Sequence, residues 1–195
     1  MRNFFLVAAF CACAATAFSQ VGEISLSGGV ARYGGGRLGT VDTPSNSGDI
    51  TMDGGFRLAL RFTLNPYRFM GHEFGYGYSR GTVKCAGCGD VSVPSHQGFY
   101  SFLMYATPEG SKVRPFAAGG VGFSSFFPPG TSIYSGNQIT KFGINYGGGI
   151  KVRLNPIWGM RIDARQFNTG KPFDFPNQSG RLVLTEISIG ASFNF

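Results

Sequence analysis

Two histidines, a closely spaced cysteine pair and a series of charged residues at strand-like spacing are where side chains of this 195-residue chain could do chemistry. His96 follows Ser95 directly and lies a few residues after Asp90. A Ser–His–acid set for acyl transfer is therefore the enzymatic arrangement to weigh. Neighbouring residues on an extended chain point to opposite faces, so Ser95 and His96 are poorly placed to share a proton. Cys85-Ala86-Gly87-Cys88 has the C-x-x-C spacing of redox and zinc sites. No βαβ pattern surrounds it, and no nearby histidine completes a zinc set. In an oxidising compartment Cys85 and Cys88 are expected to form a disulfide that orders a loop tip, a ring small enough to stabilise by only about 2 kcal/mol. No catalytic, metal or cofactor site is expected.

The charged residues are more informative. Glu23, Arg57, Arg61, Glu73, Lys151, Arg153, Arg161, Asp163, Arg165 and Glu186 all fall at alternate positions of segments whose other positions are apolar. Side chains of a strand alternate between faces, so each segment carries one greasy face and one ionic face. The cleanest case sets Phe56, Leu58, Leu60, Phe62 and Leu64 against Arg57, Ala59, Arg61 and Thr63. Phe74, Tyr76 and Tyr78 oppose Glu73 and Ser79 in the same way, and Trp158, Met160, Ile162 and Ala164 oppose Arg161, Asp163 and Arg165. The segment at 97–107 is aromatic on both faces and that at 113–126 is rich in Gly and Ala, so neither reveals its phase. Leu-Asn-Pro closes two segments, at 64–66 and 154–156, which hints at related hairpins.

Composition and the amino terminus bound the setting. Arg2, the apolar run from Phe4 to Ala15 and the small residues Ala15, Ala17 and Ser19 read as a secretory signal peptide over 1–19; cleavage fits after Ala17 or after Ser19, the latter favoured and leaving Gln20 as the new terminus, and either removes Cys11 and Cys13. Its apolar run is too short to cross a membrane, and no later stretch reaches the roughly 18 apolar residues that a spanning helix needs. With 14% charged and 43% hydrophobic residues the mature chain is not disordered, and 31 Gly with 20 Phe suit many short strands. The net charge of +7 drops by one with Arg2. Inside a cell that charge would suggest nucleic acid, but a secreted chain makes anionic lipid headgroups the better match and nucleic acid is not expected.

Eight alternating segments result, and the links between them alternate in length. Those at 65–68, 108–112 and 155–157 are short, and those at 34–53, 80–96, 127–140 and 168–180 are long. The last segment, Arg181 to Phe195, ends on an aromatic residue, with Phe193 and Phe195 on its apolar face. On these features, together with the Arg161-Ile162-Asp163-Ala164-Arg165 strand, the mature length resembles the small OmpA-like and OmpX-like outer-membrane barrels. The resemblance implies an all-β fold: an eight-stranded antiparallel up-and-down transmembrane β-barrel over 20–195, without the peptidoglycan-binding domain of longer relatives. It also implies a periplasmic N-terminus, short turns and C-terminus, long extracellular loops, and a terminal Phe193/Phe195 signal read by the barrel assembly machinery.

A Lys or Arg on the lipid face at mid-depth would cost about 2–4 kcal/mol, so the ionic faces must turn inward. An eight-stranded lumen is only wide enough for side chains to fill, so the mixed charges are expected to pair and plug it. The expected role of this monomer is structural or surface-interacting. A lipid A-modifying enzyme and a narrow gated channel are the alternatives, although no motif of the known lipid A acyltransferases or deacylases is present. Arg37, Arg80, Lys84, Lys141, Lys171 and Arg181 lie in or beside the long loops, where outer-membrane lipids and lipopolysaccharide phosphates would meet them.

Overall fold

The computed structural model describes residues 21–34, 38–43, 46–85, 89–128, 137–170 and 181–195. The expected signal peptide at 1–19 and Gln20, the side chains of Cys85 and Cys88, and Arg37 and Lys171 lie outside the described residues. Among the described residues ten strands follow in chain order: β1 (Val21–Gly34), β2 (Gly39–Thr43), β3 (Asn46–Asp53), β4 (Gly55–Tyr67), β5 (Met70–Cys85), β6 (Val91–Tyr105), β7 (Val113–Phe126), β8 (Ile139–Arg153), β9 (Trp158–Asn168) and β10 (Val183–Asn194). Eight of them, β1 and β4 to β10, pair antiparallel with their neighbours and close on themselves through β1 and β10. Closure leaves no free sheet edge around the ring, which is what lets strands cross a membrane.

The alternation read from the sequence is the alternation of the wall. In β4, Arg57, Ala59, Arg61 and Thr63 are buried in the lumen, while Phe56, Leu58, Leu60 and Phe62 are exposed on the outside. The outer face is therefore apolar because lipid, rather than a protein core, is its solvent. The two ambiguous segments take definite phases. In β6 the inward set is Ser95, Gln97, Phe99, Ser101, Leu103 and Tyr105, and in β7 it includes Arg114, Phe116 and Ala118. Aromatic residues on both faces hid this phase, because Phe99 and Tyr105 fill the lumen while Tyr100 and Phe102 stand on the other face.

One end carries the short connections and the other the long ones. At the short end, Asn155 Oδ1 accepts hydrogen bonds from the backbone N–H of Ile157 and Trp158 at 2.9 and 2.7 Å, the local turn that an Asn-Pro pair favours. The other Leu-Asn-Pro does not repeat it, since Asn65 is buried inside β4 where the register with β5 shifts. At the long end, part of what the sequence presents as loop is strand. The 34–53 link folds back as the β2–β3 hairpin, and β3 pairs with the top of β5. The 80–96 link is mostly the continued β5–β6 ladder, with Arg80 opposite Pro94 and Val83 opposite Val91. Polar residues and Pro94 masked these extensions, because above the apolar band neither face of a strand needs to be greasy.

The carboxyl-terminal strand is locked at its end. Phe195 and Gly22 exchange both backbone hydrogen bonds at 2.9 Å, and the Phe195 ring stacks near Phe62 and Phe193 with centroids 6.4 and 6.3 Å apart. A Cβ at Gly22 would come within 2.6 Å of that ring. Glycine is what admits Phe195 to the seam.

Candidate functional site

Among the described residues the lumen gathers the chemistry-bearing side chains most densely, and the strands position them by parity. Arg161 of β9 donates from Nε and Nη2 to both oxygens of Asp163 at 2.7 and 2.8 Å, from Nη2 to Glu73 at 3.0 Å and from Nη1 to Ser25 at 2.9 Å. Arg165 reaches the same carboxylates, with Nε 3.1 Å from Asp163 and Nη2 2.7 Å from Glu73. Arg61 and Arg57 both bind Glu186, Arg57 through Nε at 2.6 Å, while Arg61 also donates to Ser27 and Arg57 to Gln97. These seven charged side chains are wholly inaccessible to solvent.

Burying charge without a partner is costly, and each guanidinium here has at least one hydrogen bond to a carboxylate, while Arg57 Nη2, Arg61 Nε, Arg165 Nη2 and Glu73 Oε1 make none. Glycine makes the room. A Cβ at Gly75 would collide with the Phe99 ring and one at Gly77 with the Arg57 guanidinium. Gly77 thus admits the full-length Arg57 of β4 to the lumen, and Gly75 admits the Phe99 ring of β6.

The ionic layer is bounded by other layers. Toward the short turns, Lys151 binds Glu23 at 2.7 Å, and Leu103, Tyr105, Phe116 and Ala118 form an apolar cluster beside them. Arg114 lies 3.6 Å over the Tyr105 ring and pairs with Glu109. Arg153, grouped by the sequence with the central charges, instead joins Glu109 at 3.1 Å at the rim and is one-third exposed. Arg114 and Glu109 were missed for identifiable reasons: the Gly/Ala-rich β7 gave no phase, and Glu109 sits in a turn. Toward the long hairpins, Tyr33 hydroxyl bonds Ser79 and Ser95 at 2.9 and 2.6 Å. Beyond it Leu38, Ile50, Met52, Val93, Phe126 and Leu182 pack together.

The residues weighed for catalysis do not assemble. Ser95 points into the lumen, bonded to Tyr33 and Ser79, whereas His96 on the opposite face bonds Tyr76 through Nδ1 and touches the rings of Tyr78 and Phe127. His72 bonds the Tyr100 hydroxyl at 2.7 Å. Among the described residues no group of His, Cys, Asp and Glu is arranged to hold a metal ion.

The basic residues near the long hairpins are spread. Arg80 donates to Ser92 at 2.7 Å, and Lys84 sits 2.7 Å from Asp53, whose carboxylate raises the lysine pKa above its ordinary value. Arg181 is exposed just before β10, but Lys141 has the parity of Gly143 and Asn145 and so faces the inside of the wall.

The likenesses to known proteins agree with this architecture. Among curated proteins none matches the chain in sequence. Solved structures similar in fold include the outer membrane protein OprG of Pseudomonas aeruginosa, at 15% identity and a TM-score of 0.65, covering 91% of this chain and 98% of that one. Neisserial surface protein A is 12% identical with a TM-score of 0.63, covering 89% and 97%. The outer membrane protein AlkL is 15% identical with a TM-score of 0.60, covering 92% of each. At these identities the likeness speaks for the fold alone. The model of the outer membrane protein beta-barrel domain matches residues 4–195, and the chain belongs to that family of the outer membrane.

Proposed function

We propose that the protein is a closed, monomeric outer-membrane barrel with a structural or surface-interaction role, its lumen plugged rather than conducting. The observation that carries this reading is the solvent-inaccessible ionic layer of Arg57, Arg61, Arg161 and Arg165 with Glu73, Asp163 and Glu186, flanked by apolar clusters toward both ends. In this reading the short turns and both termini face the periplasm and the long hairpins face outward, where Arg80, Lys84 and Arg181 meet lipopolysaccharide phosphates. Phe195, locked against Gly22, is the element that the barrel assembly machinery reads. A role in lipid A chemistry is disfavoured by Ser95 and His96 pointing to opposite sides of the wall. Planar-bilayer recording of the purified barrel tests the plug: the expected trace holds few and small events. Large, stable, porin-like steps would overturn it.

A further inference from the structure

The outer wall is not uniformly covered. Register places Leu60, Tyr76, Gly98, Phe123 and Phe142 opposite one another in a row across β4 to β8. Gly98, the one residue of that row with no side chain, lies under the Phe123 ring and on the lining of a groove of about 720 Å³ walled by Phe74, Tyr76, Tyr100, Val121, Phe123 and Phe142. That volume is in the about 300–1,000 Å³ range of built small-molecule sites, although this one opens to the lipid side. One level nearer the long hairpins the wall turns polar: His96 bonds Tyr76, and Ser125 bonds Thr140 at 2.8 Å. Four residues along β5 from Tyr76, roughly 13 Å at strand spacing, stands Arg80, with Lys84 beyond it. Both have the outward parity of Tyr76, and Arg32 on β1 is likewise exposed. An apolar slot thus runs into a polar margin and then into cations, the sequence of chemistries along an amphiphile with an anionic head.

We propose that this groove seats an acyl chain of a lipid A-type phosphorylated glycolipid of the outer leaflet, with its phosphate held at Arg80 and Lys84. The assignment rests on the reading that the long hairpins face outward, which puts the cationic margin at the outer leaflet. Of the exposed cations on this face Lys84 is ion-paired with Asp53 at 2.7 Å, and a headgroup with more than one phosphate competes for it better than a singly charged phospholipid does. The slot supplies selectivity for a chain rather than for the head alone, and its shape depends on Gly98: the Phe123 ring lies over this glycine, where a Cβ would stand 2.5 Å from it, so any side chain at 98 pushes that ring out of place.

The test uses the full barrel in detergent micelles, titrated with lipid A, dephosphorylated lipid A and phosphatidylglycerol and read by native mass spectrometry. Lipid A should form a one-to-one adduct. Gly98→Leu, which displaces the Phe123 ring and so reshapes the slot, and the double variant Arg80→Gln/Lys84→Gln should each weaken that adduct about tenfold, as loss of one good contact does. Dephosphorylated lipid A should bind the wild type no better than lipid A binds the double variant. Val121→Trp narrows the slot from an exposed outer position, so it tests the groove even if Gly98→Leu does not fold. Unchanged affinity in the folded slot variants, or equal binding of phosphatidylglycerol, overturns the proposal. An epitope inserted at Asp90 and probed on intact cells separates the two ideas. If it is inaccessible, the orientation and the outer-leaflet source fall together, whatever binds in micelles; if it is accessible and the slot variants still bind, the groove alone is wrong.

Discussion

At the scale of single residues, the lumen's charges are mutually dependent in a way that surface charges are not. Glu73 faces Arg61, Arg161 and Arg165 and accepts a hydrogen bond from Thr63 at 3.1 Å, with no access to water. Glu73→Gln keeps the volume and removes the charge, leaving Arg165 to Asp163, Arg161 to Asp163 and Glu23, and Arg61 to Glu186 and Asp163. The expected loss is about 3–5 kcal/mol in reversible urea unfolding, the cost of breaking a buried pair from one side. A loss below about 1 kcal/mol would mean that water reaches this layer and that the arginines are solvated rather than paired. Gly75 makes the complementary point about volume. Gly75→Val drives a side chain into the Phe99 ring, and the overpacking should cost about 1–3 kcal/mol by the same measurement. The alternating charges were legible in the sequence because their parity is local. Which arginine meets which carboxylate was not, since Arg57 and Glu186 are brought together only by the closure of the ring.

At the scale of the strand, β10 carries the closure. It pairs with β1 along Glu23 to Gly34 and with β9 along Trp158 to Asn168, so a defect at its end opens the barrel seam. Phe195 adds the last rung, its two backbone bonds to Gly22 and its ring packed by Phe62 and Phe193. Deleting Phe195, or substituting Asp, is expected to leave the strand unrecognised in assembly and the protein degraded or aggregated. The check is heat-modifiable migration on gels from isolated outer membranes. Normal migration of the Phe195-deleted form would show that the terminal aromatic is dispensable. Strands whose two faces differ in polarity announced themselves from sequence, as β4, β9 and β10 did. β6 and β7 did not, because an aromatic side chain suits both the lipid surface and the packed interior, and glycine suits neither in particular.

At the scale of the whole molecule, the proposed plug consists of layers in series. The ionic layer lies between the Leu103–Phe116 cluster near the short turns and the Leu38–Phe126 cluster near the long hairpins, with the Phe99–Phe167 ring pair at 5.2 Å among the arginines. A substitution that weakens one layer should therefore lower stability without opening a path. Glu73→Gln is expected to show the same small conductance as the wild type in planar bilayers, despite its lower resistance to urea. Porin-like steps in that variant would mean that the ionic layer alone bars the lumen.

The sequence by itself determined the all-β class, the count of barrel strands, the lipid-facing and lumen-facing sets of the clean segments, and the alternation of short and long connections. Each of these follows from a period of two and from the cost of exposing charge to lipid, which act on neighbouring residues without reference to the rest of the chain. Only the tertiary structure decided the phase of β6 and β7, the β2–β3 hairpin lying along β5, the place of Arg153 at the rim with Glu109 and Arg114, and the groove at Gly98. These depend on register between strands far apart in sequence, and register is set by the closed ring as a whole: shifting one pairing by a single residue would turn a strand's arginines out into the lipid.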